Sequence, residues 1–295
     1  MDLVGYIETY QKELNKGREK RKMEIFSYQF FQNALWASLL TAIVAGIIGS
    51  YIVVRRMAFM SGGITHASFG GLGLGVYAGF EPMVGAACFA ILSALGIGYV
   101  SRAGHIRQDS AIAGIWSLGM AVGVLFMAMT PGYTTNLSAY LFGNILLVTK
   151  TDLLLLLCMA VMLVLFFSLA YRSVLYTAFD ADFARTRGRK VALIENLMLV
   201  AIALGIVLSI RLIGIMLLMS MLTLPQSTMN LFTDRFKHII FGSVVLALIG
   251  SAGGLLGSYY LGLPSGAFIV LLLVLFFGAG KMISSLHRIP KSRHA

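Results

Sequence analysis

Charge is what this sequence has least of. Only 12% of its 295 residues are Asp, Glu, Lys or Arg, while 58% are hydrophobic and the mean hydropathy is +0.86. A soluble domain carries about 25% charged residues, so roughly half of what a water-facing surface needs is missing. No formal charge occurs between Asp109 and Lys150, nor from His238 to Gly280. Apolar stretches longer than the ~20 residues that cross hydrocarbon describe an all-α, polytopic transmembrane helical bundle and exclude a soluble enzyme or a disordered chain. Cysteine is scarce as well. Cys88 and Cys158 lie in apolar runs with no CxxC partner, which removes the disulfide and thiolate–metal readings. HExxH and GxxxxGK[ST] are both missing, so neither an intramembrane zinc-protease site nor a nucleotide-binding loop belongs to the chain. Any work it does draws energy from a partner or from an ion gradient.

The charge that is present has one dominant sign. Lys and Arg number 23 against 12 acidic residues, a net +11, yet the basic residues sit in short segments between apolar runs. That placement follows the positive-inside rule and speaks against nucleic acid as a partner. A polar, mixed-charge leader (1–30) precedes a membrane domain (31–283) and a basic tail (284–295), both ends being expected in the cytoplasm. The apolar segments are 33–54, 61–80, 82–100, 111–129, 151–171, 191–210, 212–231, 239–261 and 265–282, with a tenth stretch, 137–148, short enough to be a broken or interfacial helix. Arg172, Arg185, Arg187, Arg189 and Lys190 mark one cytoplasmic loop, and Arg235 and Lys237 mark another. The uncharged loops 130–136 and 261–264 face outward. Nine full spans would place the basic leader outside. The expected count is therefore eight, with nine as the alternative, and 61–80 or the 191–231 pair is the segment expected not to cross fully.

Polar residues inside the apolar runs carry the functional signal. His66 lies about 15 Å along a helix from the Arg55–Arg56 pair, near mid-bilayer. An ionisable residue there points to function, and imidazole is a common metal ligand. A histidine hydrogen-bonded to a neighbouring helix is the other reading. Gly71, Gly75 and Gly79 recur every four residues and form a face for close helix packing. They do not form a dinucleotide fingerprint, since Val76 stands where GxGxxG needs glycine. Arg211 interrupts a run too long for one span and belongs at a boundary between two helices. Pro225 is expected to kink its helix. Glu195 and Asn196 lie near a helix start, where capping competes with metal ligation as their role.

Several segments, in order, resemble the membrane permeases of zinc/manganese-type ABC importers over roughly residues 30–283. They are Val53–Phe59 followed by Thr65-His66-Ala67, the charged segment Ile106–Ile112, the outer segment Ala128–Tyr133, the stretch Tyr140–Leu146, the cytoplasmic segment Phe179–Gly188 and the last outer loop Leu263–Ala267. The resemblance implies a homodimeric permease in a prokaryotic plasma membrane, a cytosolic ATP-hydrolysing subunit and an extracytoplasmic metal-binding protein. The chain itself would not be an enzyme and would hold no permanent cofactor, only a transported divalent ion, zinc or manganese before iron. It also implies metal contact at His66, with Thr65, Ser68 and Glu195 as pathway or water-mediated neighbours. Phe179, Asp180, Ala184 and Gly188 become the coupling segment to the ATPase. Many members carry aspartate four residues before the histidine, where this chain has Gly62. Two rival functions are a permease for a metal chelate or cobalamin- or siderophore-like cofactor, which needs a wider cavity, and an ion-coupled secondary transporter, which needs acidic residues at membrane depth.

Overall fold

The computed structural model describes residues 27–103, 107–130, 145 and 148–286, and every described element is a helix. In chain order these are α1 (Gln29–Val54), α2 (Ala58–Ala78), α3 (Pro82–Ala103), α4 (Gln108–Met129), α5 (Lys150–Phe179), α6 (Ala181–Thr186), α7 (Val191–Met229), α8 (Phe236–Leu261) and α9 (Ser265–Leu286). Helices dominate because hydrocarbon offers backbone N–H and C=O groups no partner but their own segment. The helices overrun the apolar runs, since polar residues at their ends keep the backbone bonded in the interface. α5 shows this best: it continues to Phe179, and at its start Thr149 and Asp152 form a reciprocal capping box.

Seven helices are long and apolar enough to cross a membrane by length and composition. α2 is not among them because glycine and hydroxyl residues dilute its hydropathy, yet its 21 residues reach about 31 Å. α7 is one continuous helix only by hydrogen bonding. Gly205 approaches Val44 and Ile48 of α1, while Gln226 Nε2 donates to Ala45 O at 2.8 Å. In a straight helix residues 205 and 226 would be about 32 Å apart, so both can meet the same turn of α1 only if the chain doubles back. Gly214 (φ 73°, ψ 168°) is the residue with non-helical angles between them. The two arms are 191–213 and 215–229, the second only about 22 Å long.

Counting α2 and both arms of α7, the described residues trace nine helical segments, of which the second arm of α7 is too short for a full span. This order starts α1 not at the cytoplasmic side, where the sequence put the leader, but at the outer face. There Asn33 Nδ2 donates to Val148 O at 3.2 Å, ahead of α5. The short segment is the second arm of α7, one of the two suspected from sequence. Most of the leader (1–26), most of the stretch 137–148 and the tail from 287 lie outside the described residues.

α1 and the first arm of α7 form the buried centre, with α5, α8 and α9 around them. α2, α3 and α4 make a second group that reaches the first through α7. α1 passes to α2 in three residues because Arg56 adopts a left-handed φ of 57° and Met57 N–H donates back to Ile52 O at 2.8 Å. Inside the second group the backbones touch. A Cβ on Gly71 would run into the Gly85 carbonyl of α3, one on Gly73 into Gly123 of α4, and one on Gly119 into Ala67. Gly75 meets Pro82 Cα in the same way, at 2.7 Å. Gly79 corrects the sequence reading: it caps α2 in the left-handed region (φ 73°) and a Cβ there would touch nothing, so it ends the helix instead of packing it.

Gly71→Ala is expected to destabilise the protein by about 1–3 kcal/mol, because backbone, not a mobile side chain, occupies the space. Gly253→Ala, which meets open space in α8, serves as the control and should be neutral or slightly stabilising. Melting in detergent measures both, and equal midpoints would contradict the packing account.

Candidate functional site

His66 sits on α2 at the level where Ala67 faces Gly119 of α4. Its neighbours Thr65, Ala67 and Ser68 are fully buried, while the imidazole itself is only half-buried. The ring stacks on Trp116 of α4, centroids 4.3 Å apart and planes within 6°. Phe59 leans on the same indole at 5.9 Å. His66 Nδ1 is buried and finds no hydrogen-bond partner among the described residues. Stacking fixes the ring plane, so the unpartnered nitrogen is held in a set direction.

The hydroxyls beside it are already engaged as donors. Thr65 Oγ1 donates to Ser61 O at 2.7 Å and Ser68 Oγ to Thr65 O at 2.6 Å, both within their own helix. Their lone pairs remain. Thr65 Oγ1 also lies 3.8 Å from Met219 Sδ on the second arm of α7. The same methionine explains how the chain accommodates glycine at position 62: a Cβ there would lie 3.3 Å from Met219 Cε and 3.8 Å from Trp116 Cζ3. Among the described residues no three His, Cys, Asp or Glu side chains gather into a metal cage.

Glu195 stands elsewhere. Its carboxylate accepts from Arg55 Nη2 at 2.6 Å and Arg102 Nη1 at 3.4 Å, and Arg102 also donates to Asn196 Oδ1 at 3.0 Å. Arg55 Nη1 reaches Thr177 O as well, at 3.1 Å. Glu195 thus ties together the cytoplasmic ends of α1, α3, α5 and α7. Neither helix capping nor a place beside His66 describes it, and its signal in the sequence was the pair of arginines that close α1 and α3. These residues border a cytoplasmic cavity of about 280 Å³ that extends to Met60, below His66 on α2.

The outer face has its own tie. Arg211 Nε lies 3.2 Å from the buried carboxylate of Asp152, which ties the first arm of α7 to α5, and Arg211 Nη1 lies 4.0 Å from the exposed Glu81 in the turn before α3. Arg211 is at the helix boundary expected from the sequence, but the break itself is Gly214, which the sequence reading missed; a glycine beside the lone arginine of an overlong apolar run was the available clue. Pro225 keeps helical angles. The carbonyl it leaves free, Met221 O, is taken at 3.0 Å by Gln226 Nε2.

At the cytoplasmic end, Asp180 caps α6 by accepting from Phe183 N–H at 2.9 Å, and Ala184 is fully buried. Gly188 takes a left-handed φ of 69° after the helix, where a side chain would be strained. Phe179 is 58% exposed and meets Phe236 of α8 edge-on at 6.2 Å. The segment is therefore a short aromatic knuckle that packs on α5 and α7 and reaches α8 through Phe179. Of the resembling segments, residues 106, 131–133, 140–144 and 146 lie outside the described residues.

Residues 27–284 match the sequence pattern of the ABC 3 transport family. The chain belongs to that family. This ABC 3 member is therefore an integral membrane subunit of a transport system and not itself an enzyme. It is 33% identical over 248 residues to the manganese transport system membrane protein MntC of Halalkalibacterium halodurans, covering 84% of this chain and 85% of that one. It is 36% identical over 253 residues to a probable metal transport system membrane protein of Chlamydia trachomatis, covering 82% and 86%. Among solved structures, PsaBC from Streptococcus pneumoniae in complex with Fab superposes with a TM-score of 0.79 at 30% identity, over 92% of this chain and 96% of that one.

Glu195→Gln is expected to lower stability by about 1–3 kcal/mol, because one neutral amide cannot serve two guanidinium groups. Chemical denaturation in detergent measures it. Unchanged stability with weakened metal binding would return Glu195 to the ligand set.

Proposed function

We propose that the chain is the permease subunit of an ATP-driven importer of divalent transition-metal ions, working as a homodimer with a cytosolic ATPase and an extracytoplasmic metal-binding protein. The observation that carries this reading is the half-buried His66, fixed by Trp116 with its Nδ1 unpartnered, in a member of this family. A polar ring at bilayer depth is costly against lipid, so a second protomer is the natural cover for its exposed side. The exposed side of α4 supports this, since Ala113, Ser117 and Ala121 repeat every four residues and allow a close helix approach. The pathway then runs between the protomers, with the exposed part of each His66 ring turned towards that of its partner, while Nδ1 and the Thr65 and Ser68 oxygens lie buried behind it.

One imidazole per protomer makes a weak site, which suits a conduit, because an ion held tightly would not leave. Imidazole suits zinc, manganese or iron better than magnesium or calcium, which need more oxygen ligands. The relative named for manganese makes that ion the first cargo to test. Closure of the ATPase dimer on ATP would push on the Phe179–Gly188 knuckle, and α5 and α8 would carry the motion to the helices around His66.

His66→Ala should abolish uptake of radioactive manganese and zinc by the reconstituted complex while leaving expression and melting intact; undiminished uptake removes His66 from the pathway. Phe179→Ala should preserve ATP hydrolysis by the complex and reduce transport per ATP severalfold, and an unaltered ratio would contradict the coupling role. Competition among manganese, zinc and iron(II) in the same assay ranks the cargo. Uptake of a metal only as its chelate would favour the chelate permease instead.

A further inference from the structure

Between the cytoplasmic halves of α5 and α8 lies a groove of about 720 Å³ that plays no part in the site above. Its wall is apolar, with Ile47, Phe167 and Ile240, and its mouth carries Arg172, Arg189 and Lys237. No carboxylate is among the residues lining it. All three cations are exposed, and Lys237 Nζ is steadied 4.9 Å above the Tyr171 ring.

Depth decides what fits. α5 has 30 residues, about 45 Å, against ~30 Å of hydrocarbon, so its last turns project into the cytoplasmic interface. Arg172 then lies at headgroup level, while Phe167 and Val164 are one to two turns deeper. Leu169, 89% exposed, and Phe241, 72% exposed, flank the groove and face lipid. A soluble anion would use the cations and leave the apolar wall empty. A cytosolic protein could reach the mouth but not the wall.

We propose that this groove binds one anionic phospholipid of the cytoplasmic leaflet. Its phosphate is held by Arg172, Arg189 and Lys237, and an acyl chain lies along Phe167 and Ile240. Guanidinium groups suit phosphate by forked hydrogen bonding, and cationic pockets between membrane helices on the cytoplasmic side suit such headgroups. The bound lipid would bridge α5 and α8 beside the α6 knuckle.

The test is native mass spectrometry of the delipidated permease–ATPase complex, titrated with dioleoylphosphatidylglycerol, dioleoylphosphatidylcholine or inorganic phosphate. Phosphatidylglycerol should saturate at one molecule per permease, at least tenfold tighter than phosphatidylcholine, and millimolar phosphate should not displace it. Arg172→Gln/Arg189→Gln/Lys237→Gln should weaken that binding at least tenfold with an unchanged lipid-free melting midpoint. Ser168→Trp, which fills the groove without altering charge, should do the same and stands in if the triple variant misfolds. Equal affinity for both lipids, displacement by phosphate, or intact lipid binding in the variants overturns the proposal. So does loss of the ATPase subunit with lipid binding retained, which would make the face a protein-docking surface.

Discussion

The backbone contact of α2 with α3 and α4 is the interaction on which the rest of the molecule depends. In hydrocarbon there is no water to drive helices together, so association relies on close packing, and Gly71, Gly73, Gly85, Gly119 and Gly123 allow carbonyl groups to meet where side chains would hold helices apart. Two flanks of α2 are closed in this way. The second arm of α7 also meets α2, through Met219, and the half-buried His66 stacks on Trp116 with its Nδ1 unpartnered.

Around this unit the charges sit at the two membrane faces. Arg55, Arg102 and Glu195 join four helix ends at the cytoplasmic face, and Arg211 joins Asp152 at the outer face. α7 contributes to both ties and also reverses at Gly214, and its buried second arm brings Met219 to Thr65 and Gln226 to Ala45 O. On the opposite side of the bundle Phe179, the last residue of α5 before α6, packs edge-on against Phe236 of α8.

Much of this was legible in the sequence. Membrane class and the faces of the loops after α1 follow from where charge is missing and where arginine gathers, whereas the side of the basic leader did not, and the run of motifs through Arg55, His66 and Leu263 carried the family. What the sequence hid is three-dimensional pairing. Glu195 read as a helix-start carboxylate because its two arginines are far away in the chain. Gly79 shared the four-residue spacing of the packing glycines, although a left-handed end and a packing face use the same residue for different reasons. The span count turned on Gly214, since hydropathy does not register a reversal when both arms are equally apolar, and on α2, which has the length of a span although glycine and hydroxyl residues dilute its hydropathy.

The central claim is that an ion in transit touches the imidazole of His66. Pulsed electron paramagnetic resonance of manganese(II), loaded onto the reconstituted complex with its ATPase arrested by a non-hydrolysable nucleotide, reads this directly through nitrogen modulation of the spin echo. The account predicts an imidazole nitrogen signal in the native complex that disappears in His66→Ala. The same nitrogen signal in both proteins, or none in either despite bound manganese, would contradict it.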